Sequence, residues 1–154
     1  MTTNAENRLR DLNIRLPEVK PAVANFVPFV KTGKLVFVSG QVPFDEDGKL
    51  LAGQVGADIS VEEAVKIARD VAITLIAVIK QAAGSLDNVT QIVKINGSVN
   101  AVPGFTQQPL VINGVSDLIV EVFGERGRHA RAAVGTGSLP GNVPVEVEAI
   151  VEVV

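Results

Sequence analysis

A capped, one-sided helix constrains this chain more than any other feature of its sequence. Ser60-Val-Glu-Glu63 has the form of a capping box. The Ser60 hydroxyl can accept from the Glu63 backbone N–H, and the Glu63 carboxylate can reach back to the Ser60 N–H. Beyond it Ala64, Ile67, Ala68, Val71, Leu75 and Val78 recur at three- and four-residue intervals, while Glu62, Lys66, Arg69 and Lys80 fall mostly on the other side. Gly84 supplies a stop. The spacing predicts a helix to about Ala83 whose apolar stripe must be buried against a partner surface.

The rest of the chain offers strands for that surface. Phe26–Val30 and Leu35–Ser39 are apolar, β-branched runs split by Thr32-Gly33-Lys34, a hairpin signal. The second run continues as Leu-Val-Phe-Val-Ser-Gly, hydrophobic enough to predict a strand covered on both faces. Asp45-Glu46-Asp47-Gly48 reads as a turn with a short strand at Lys49–Leu51 after it. Val89–Val99 and Arg131–Gly137 read as strands, and Val145–Val153 alternates V-E-V-E-A-I-V-E-V, the period of a half-buried strand. Pro109–Phe123 carries a second helical stripe, weakened at Gly114 and closed by Gly124. Ala5–Leu12 predicts a short helix that packs loosely or frays, ended by Pro17 and Pro21. The order predicts one α+β domain over residues 1–154, with an N-terminal extension over 1–20. Its core is a mixed sheet of about six strands with two helices packed on one face.

Composition narrows the function classes. The chain has 154 residues, a formal net charge of −3, six Phe, and neither Tyr nor Trp. That balance lacks the basic field and the stacking aromatics of a nucleic-acid binder. The run Arg126-Gly-Arg128-His129 reads as a solvated loop rather than a phosphate patch. With no Cys there is neither a disulfide framework nor thiol chemistry. A single His rules out a multi-His metal site within one chain, and Asp45–Asp47 lacks the spacing of a Ca²⁺ loop. The longest apolar stretch, Val71–Ile79, is far below the roughly 20 residues of a membrane span. The opening residues lack an apolar signal core, so a cytoplasmic protein without membrane contact is expected.

Two segments carry a resemblance. Leu35-Val-Phe-Val-Ser39-Gly40-Gln41 resembles the first-strand motif of the RidA/YjgF family, and Ala130-Arg131-Ala-Ala-Val134, Leu139-Pro140 and Val145-Glu146-Val-Glu148-Ala149 resemble its C-terminal signature. Glu146 follows Arg131 by the family's fifteen residues, and the resemblance covers roughly residues 21–153. It implies a chorismate-mutase-like fold and a homotrimer with sites between subunits. The activity it implies is hydrolysis of reactive enamines and imines, such as 2-aminoacrylate, to 2-keto acids and ammonia, with no metal or organic cofactor. In that pattern Arg131 holds the substrate carboxylate and Glu146 lies near the attacking water. Phe26, Ser39, Gly40, Ala133 and Ser116 line the site. The chain departs from the pattern where Phe26 stands at the family's Tyr position, in a longer stretch between Asn100 and Asp117, and in the N-terminal extension. The Asn expected at the start of the second helix aligns with either Asn113 or Ser116.

The chemistry is coherent with these residues. A guanidinium matches a carboxylate in two-point contact and stays charged at physiological pH. A carboxylate can orient or deprotonate water. The imine is already reactive, so positioning supplies much of the acceleration. A non-catalytic trimer that binds or senses keto acids is the runner-up. An endoribonuclease, a label some relatives carry, is disfavoured by the acidic balance and the lone His.

Overall fold

The structure, a computed structural model, describes residues 4–154. Its elements in chain order are α1 (Ala5–Asp11), β1 (Phe29–Thr32), β2 (Leu35–Gln41), α2 (Val61–Ala83), β3 (Val89–Asn100), α3 (Gln108–Phe123), β4 (Ala130–Thr136) and β5 (Val145–Val153). The five strands form one sheet in the order β1-β2-β5-β3-β4. Only β3 and β4 run parallel. The chorismate-mutase-like α+β fold is the one the sequence predicts, with five strands rather than about six.

α2 is built as its sequence dictates. Both halves of the capping box form, with Glu63 N donating to Ser60 Oγ and Ser60 N donating to Glu63 Oε2, each at 3.2 Å. Gly84 ends the helix at φ +80. Leu75, Ile76 and Ile79 are fully buried between helix and sheet, each contributing about 1.5–3 kcal/mol relative to exposure. α2 and α3 lie side by side on the same sheet face, tied at the surface by the Arg69–Glu121 pair at 3.0 Å.

The missing sixth strand is Lys49–Leu51. Leu50 makes one isolated bridge to Phe44. The Asp45 carboxylate accepts from the N–H groups of Asp47 and Lys49, both at 2.9 Å, so the segment is held as the arm of a turn and pairs with nothing further. The first strand begins at Phe29, not Phe26, because Pro28 has no N–H to donate and the chain bends at residues 23–26.

β2 is covered on one face only. Val36 and Val38 point into the core, but Phe37 is 43% exposed on the far side. That far side carries no helix and presents Val30, Phe37 and Val134 to solvent.

α1 does not fray. Ala5 and Leu9 are buried, and Asn4 caps the first turn through Asn7 N at 2.9 Å. The Glu6 carboxylate accepts from Leu86 N (3.0 Å), Ser85 Oγ (3.2 Å) and Lys80 Nζ (2.9 Å). Burial alone would raise its pKa, but these donors and the Lys80 charge together hold it below the ordinary carboxylate value. No helix among the described residues is long and apolar enough to cross a membrane.

Gly114, which weakens the helical pattern in sequence, marks the close approach of α2 and α3. A Cβ there would collide with the Val65 carbonyl oxygen of α2. Gly114→Ala is expected to destabilise the fold by about 1–3 kcal/mol, as overpacking does, despite the better helix propensity of Ala. Urea denaturation reads this as a lower midpoint at unchanged slope. A midpoint at or above that of the wild type would show that the helices are not so close.

Candidate functional site

The end of β2 is bulged. Val38 pairs with Ala149 and Gln41 with Val147, so Ser39 and Gly40 together oppose Glu148. Ser39 fixes the bulge by donating from Oγ to Val27 O at 2.6 Å and from its backbone N to Pro28 O at 2.9 Å. A Cβ at Gly40 would collide with Glu146 Oε1 where it now lies and would force that side chain to move. The glycine therefore lets the Glu146 carboxylate lie against the backbone of the bulge. Gly40, Asn96, Ser98, Glu146 and Glu148 line a cavity of about 150 Å³ on the open face. Asn96 Nδ2 donates to Glu148 Oε1 at 3.1 Å. Burial, and then the neighbouring Glu148 charge, push the Glu146 pKa up.

Gly40 also borders a larger cavity, of about 540 Å³. One wall is the irregular segment 17–23 at the end of the N-terminal extension and just beyond it, another is α2 at Asp70, Thr74 and Val78, and Phe26, Ser39 and Phe44 are among the residues that complete it. Lys20 Nζ sits 3.6 Å from the centroid of the Phe44 ring. Burial raises the Asp70 pKa, partly opposed by Arg69. Phe26 is half exposed and lines this space with Ser39, whereas Glu146 and Arg131 do not border it.

Arg131 lies elsewhere. It pairs with Ile95 across β3–β4 and so points to the helix face of the sheet, as does Ala133 opposite Gly97. Its NH1 donates to Asn113 Oδ1 at 2.8 Å and to Ser116 Oγ at 3.2 Å. The two residues between which the sequence could not choose are thus both engaged. Ser116 Oγ also meets His129 Nε2 at 2.9 Å, and His129 Nδ1 meets Gly127 O at 2.6 Å. Arg131 borders neither of the two cavities.

The basic run before β4 is more structured than a solvated loop. Residues 124–127 form a helical turn in which Arg126 NH1 donates to Val89 O at 2.6 Å, and Arg128 pairs with Glu125 at 3.1 Å. The sequence notes His129 only within a basic run, and no motif singles out Asn96, Ser98 or the α2 residues of the larger cavity. They become visible only when strands distant in sequence are paired.

Sheet order divides the expected site residues in two. Phe26, Ser39 and Gly40 sit at the β1–β2 side, and Arg131 sits on β4, the opposite edge. Strands lie about 4.8 Å apart, so roughly 14 Å separates β2 from β4. Glu146, paired with Ser98, points to the open face, away from Arg131. A single copy brings Gly40 and Glu146 together but does not bring either to Arg131.

The family model described as "YjgF/chorismate_mutase-like, putative endoribonuclease" matches residues 6–153. The chain belongs to the YjgF/RidA family. Among its relatives, protein TCP17 of Trypanosoma cruzi is 45% identical over 145 residues, covering 94% of this chain and 91% of that one. The crystal structure of Atu1372 from Agrobacterium tumefaciens is 47% identical with a TM-score of 0.87, covering 97% of this chain and 94% of that one. RidA from an Antarctic Psychrobacter is 30% identical with a TM-score of 0.60, over 88% and 94% of the two chains.

The electrostatics of the small cavity are testable. In Glu148→Gln the Glu146 carboxyl is expected to titrate lower than in the wild type, since one of the two causes of its raised pKa is gone. Carboxyl-carbon NMR titration measures this. An unchanged or higher Glu146 pKa would mean that the two side chains do not share the cavity.

Proposed function

We propose that the protein hydrolyses reactive enamine and imine intermediates, of the 2-aminoacrylate type, to 2-keto acids and ammonia. The observation that carries this reading is the state of the Arg131 guanidinium. Both NH1 hydrogens go to neutral acceptors, Asn113 and Ser116. Nε and NH2 are left without a partner among the described residues, and together they form the fork that grips a carboxylate in two-point contact. Glu146 is the second component. A half-buried carboxylate with a raised pKa is a stronger base than an ordinary one and suits the work of taking a proton from water. Water adds to the imine carbon as Glu146 accepts its proton. That proton passes to nitrogen, giving a carbinolamine; Glu146 then takes the hydroxyl proton and delivers it to the amine as the C–N bond breaks, so that the C=O forms and ammonia leaves the keto acid.

The division of the sheet supports a site formed between copies. A β4 edge carrying Arg131, set beside the β1–β2 side of a second copy, would join the two halves. Such a head-to-tail contact is heterologous, and three copies can close it into a ring. The uncovered apolar side chains Val30, Phe37 and Val134 call for a covering surface as well. The substrate is a small carboxylate, and the reading calls on no metal or organic cofactor.

One observation favours a second reading, a binding or sensing protein for keto acids without turnover. Phe26 offers no hydroxyl, and the larger cavity is lined mainly by apolar side chains. The endoribonuclease label of the family finds less support, because the chain has a net charge of −3 and one His.

The purified protein is expected to accelerate keto-acid release from freshly generated 2-iminobutyrate or 2-aminoacrylate. The rate should rise as pH rises through the Glu146 pKa, since the base form does the work. Arg131→Ala is expected to lose activity while staying folded, with about 2–5 kcal/mol of binding gone. Gly40→Ala is expected to stay folded and lose activity by displacing Glu146. Unchanged turnover in Arg131→Ala would reject the mechanism, and keto-acid binding without turnover would select the sensor. Light scattering is expected to give a trimer; a monomer at micromolar concentration would remove the shared site.

A further inference from the structure

We propose that His129 is a positioning residue for Arg131, acting through Ser116, and that it couples carboxylate binding to the uptake of a proton. This rests on the reading that Arg131 grips the substrate carboxylate.

The hydrogen-bond directions follow from what each atom can do. Gly127 O can only accept, so the 2.6 Å contact requires a proton on His129 Nδ1. In the neutral ring Nε2 is then bare and accepts the Ser116 hydroxyl proton across 2.9 Å. With its proton directed to His129, Ser116 Oγ turns lone pairs toward Arg131 NH1 at 3.2 Å. Asn113 Oδ1 accepts the other NH1 hydrogen at 2.8 Å. The chain Gly127–His129–Ser116–Arg131 thus fixes the guanidinium by neutral groups, and its outer end is a backbone carbonyl that cannot rotate away.

The charges around the ring set the coupling. Arg131 on β4 is the charged group whose field reaches His129. From α3 the ring meets neutral Ser116, while Asp117 is exposed. From the 124–127 turn, Glu125 and Arg128 are closed on each other. Burial and then the Arg131 charge lower the pKa of His129, opposed by the Gly127 contact. A carboxylate bound to Arg131 offsets that positive field, so the ring takes up a proton more readily in the complex; Nε2–H then donates to Ser116 Oγ, which turns its own proton away and still accepts from Arg131 NH1. By linkage, carboxylate affinity rises as pH falls through the pKa of His129.

His129 is the only histidine in the chain, so imidazole NMR reports on it alone. The probes are pyruvate and 2-ketobutyrate, which bind without reacting. The expected result for the wild type is a neutral ring in the Nδ1–H tautomer, with a pKa that rises on saturation with keto acid and also rises in Arg131→Ala. Calorimetry is expected to show His129→Leu and Ser116→Ala binding about 3- to 10-fold more weakly, the range for one lost neutral hydrogen bond. His129→Gln, whose amide oxygen can still accept from Ser116, should restore binding to within about twofold but with no pH dependence. A ring pKa indifferent to Arg131→Ala, or His129→Leu binding as the wild type does, would overturn the proposal. Failure of any keto acid to bind the wild type would overturn the carboxylate reading of Arg131 instead. That outcome is distinguishable because the ring would still respond to Arg131→Ala.

Discussion

The fold and its candidate chemistry both depend on the strict alternation of β5, the central strand. Val145, Val147, Ala149, Val151 and Val153 enter the core beneath α2, so Glu146, Glu148, Ile150 and Glu152 must face the other way. A slip of one residue would bring carboxylates under the helices, where an unpaired charge is strongly disfavoured. Register is therefore set by the core. The position of Glu146 on the open face is a consequence of five residues that take no part in chemistry.

Everything that surrounds Glu146 follows from that register. β3 aligns Ser98 with Glu146 and Asn96 with Glu148, which places two neutral polar side chains among the carboxylates. The bulge in β2 adds Ser39 and Gly40 on the other flank, and the missing Cβ of Gly40 makes room for the Glu146 head group. The same bulge opens toward the space beneath the N-terminal segment, which is why Gly40 belongs to both cavities. One irregular step in one strand thus connects a polar recess to an apolar one.

The sequence shows some of this clearly and some not at all. α2 is legible to its last residue because capping box, stripe and glycine stop agree with one another. β5 is legible because alternation has no helical counterpart. Lys49–Leu51 misleads because a turn satisfied by the Asp45 carboxylate leaves a β-like dipeptide behind it. α1 is misjudged because its anchor, Glu6, is bound about eighty residues away by Ser85 and Leu86, a contact that local pattern cannot contain. Arg131 and Glu146 are legible as a pair only through the family signature, and the pairing of strands shows them back to back. The contacts of His129 are invisible in sequence because they depend on a helix, a turn and a strand meeting at one ring.

The way Arg131 is held bears on what it can do. An arginine fixed by an aspartate or glutamate would have its charge compensated and its fork occupied, leaving little to attract an incoming carboxylate. Here the partners are an amide oxygen and a hydroxyl, which orient NH1 without neutralising the guanidinium. The cost of holding a charge that lacks a counter-ion is moderated by its place on an edge strand, where water still reaches it. The chain has 17 acidic residues against 14 basic ones, so leaving this guanidinium without an acidic partner is not forced by a shortage of carboxylates. Within one copy the guanidinium therefore keeps its full charge, oriented by neutral groups alone.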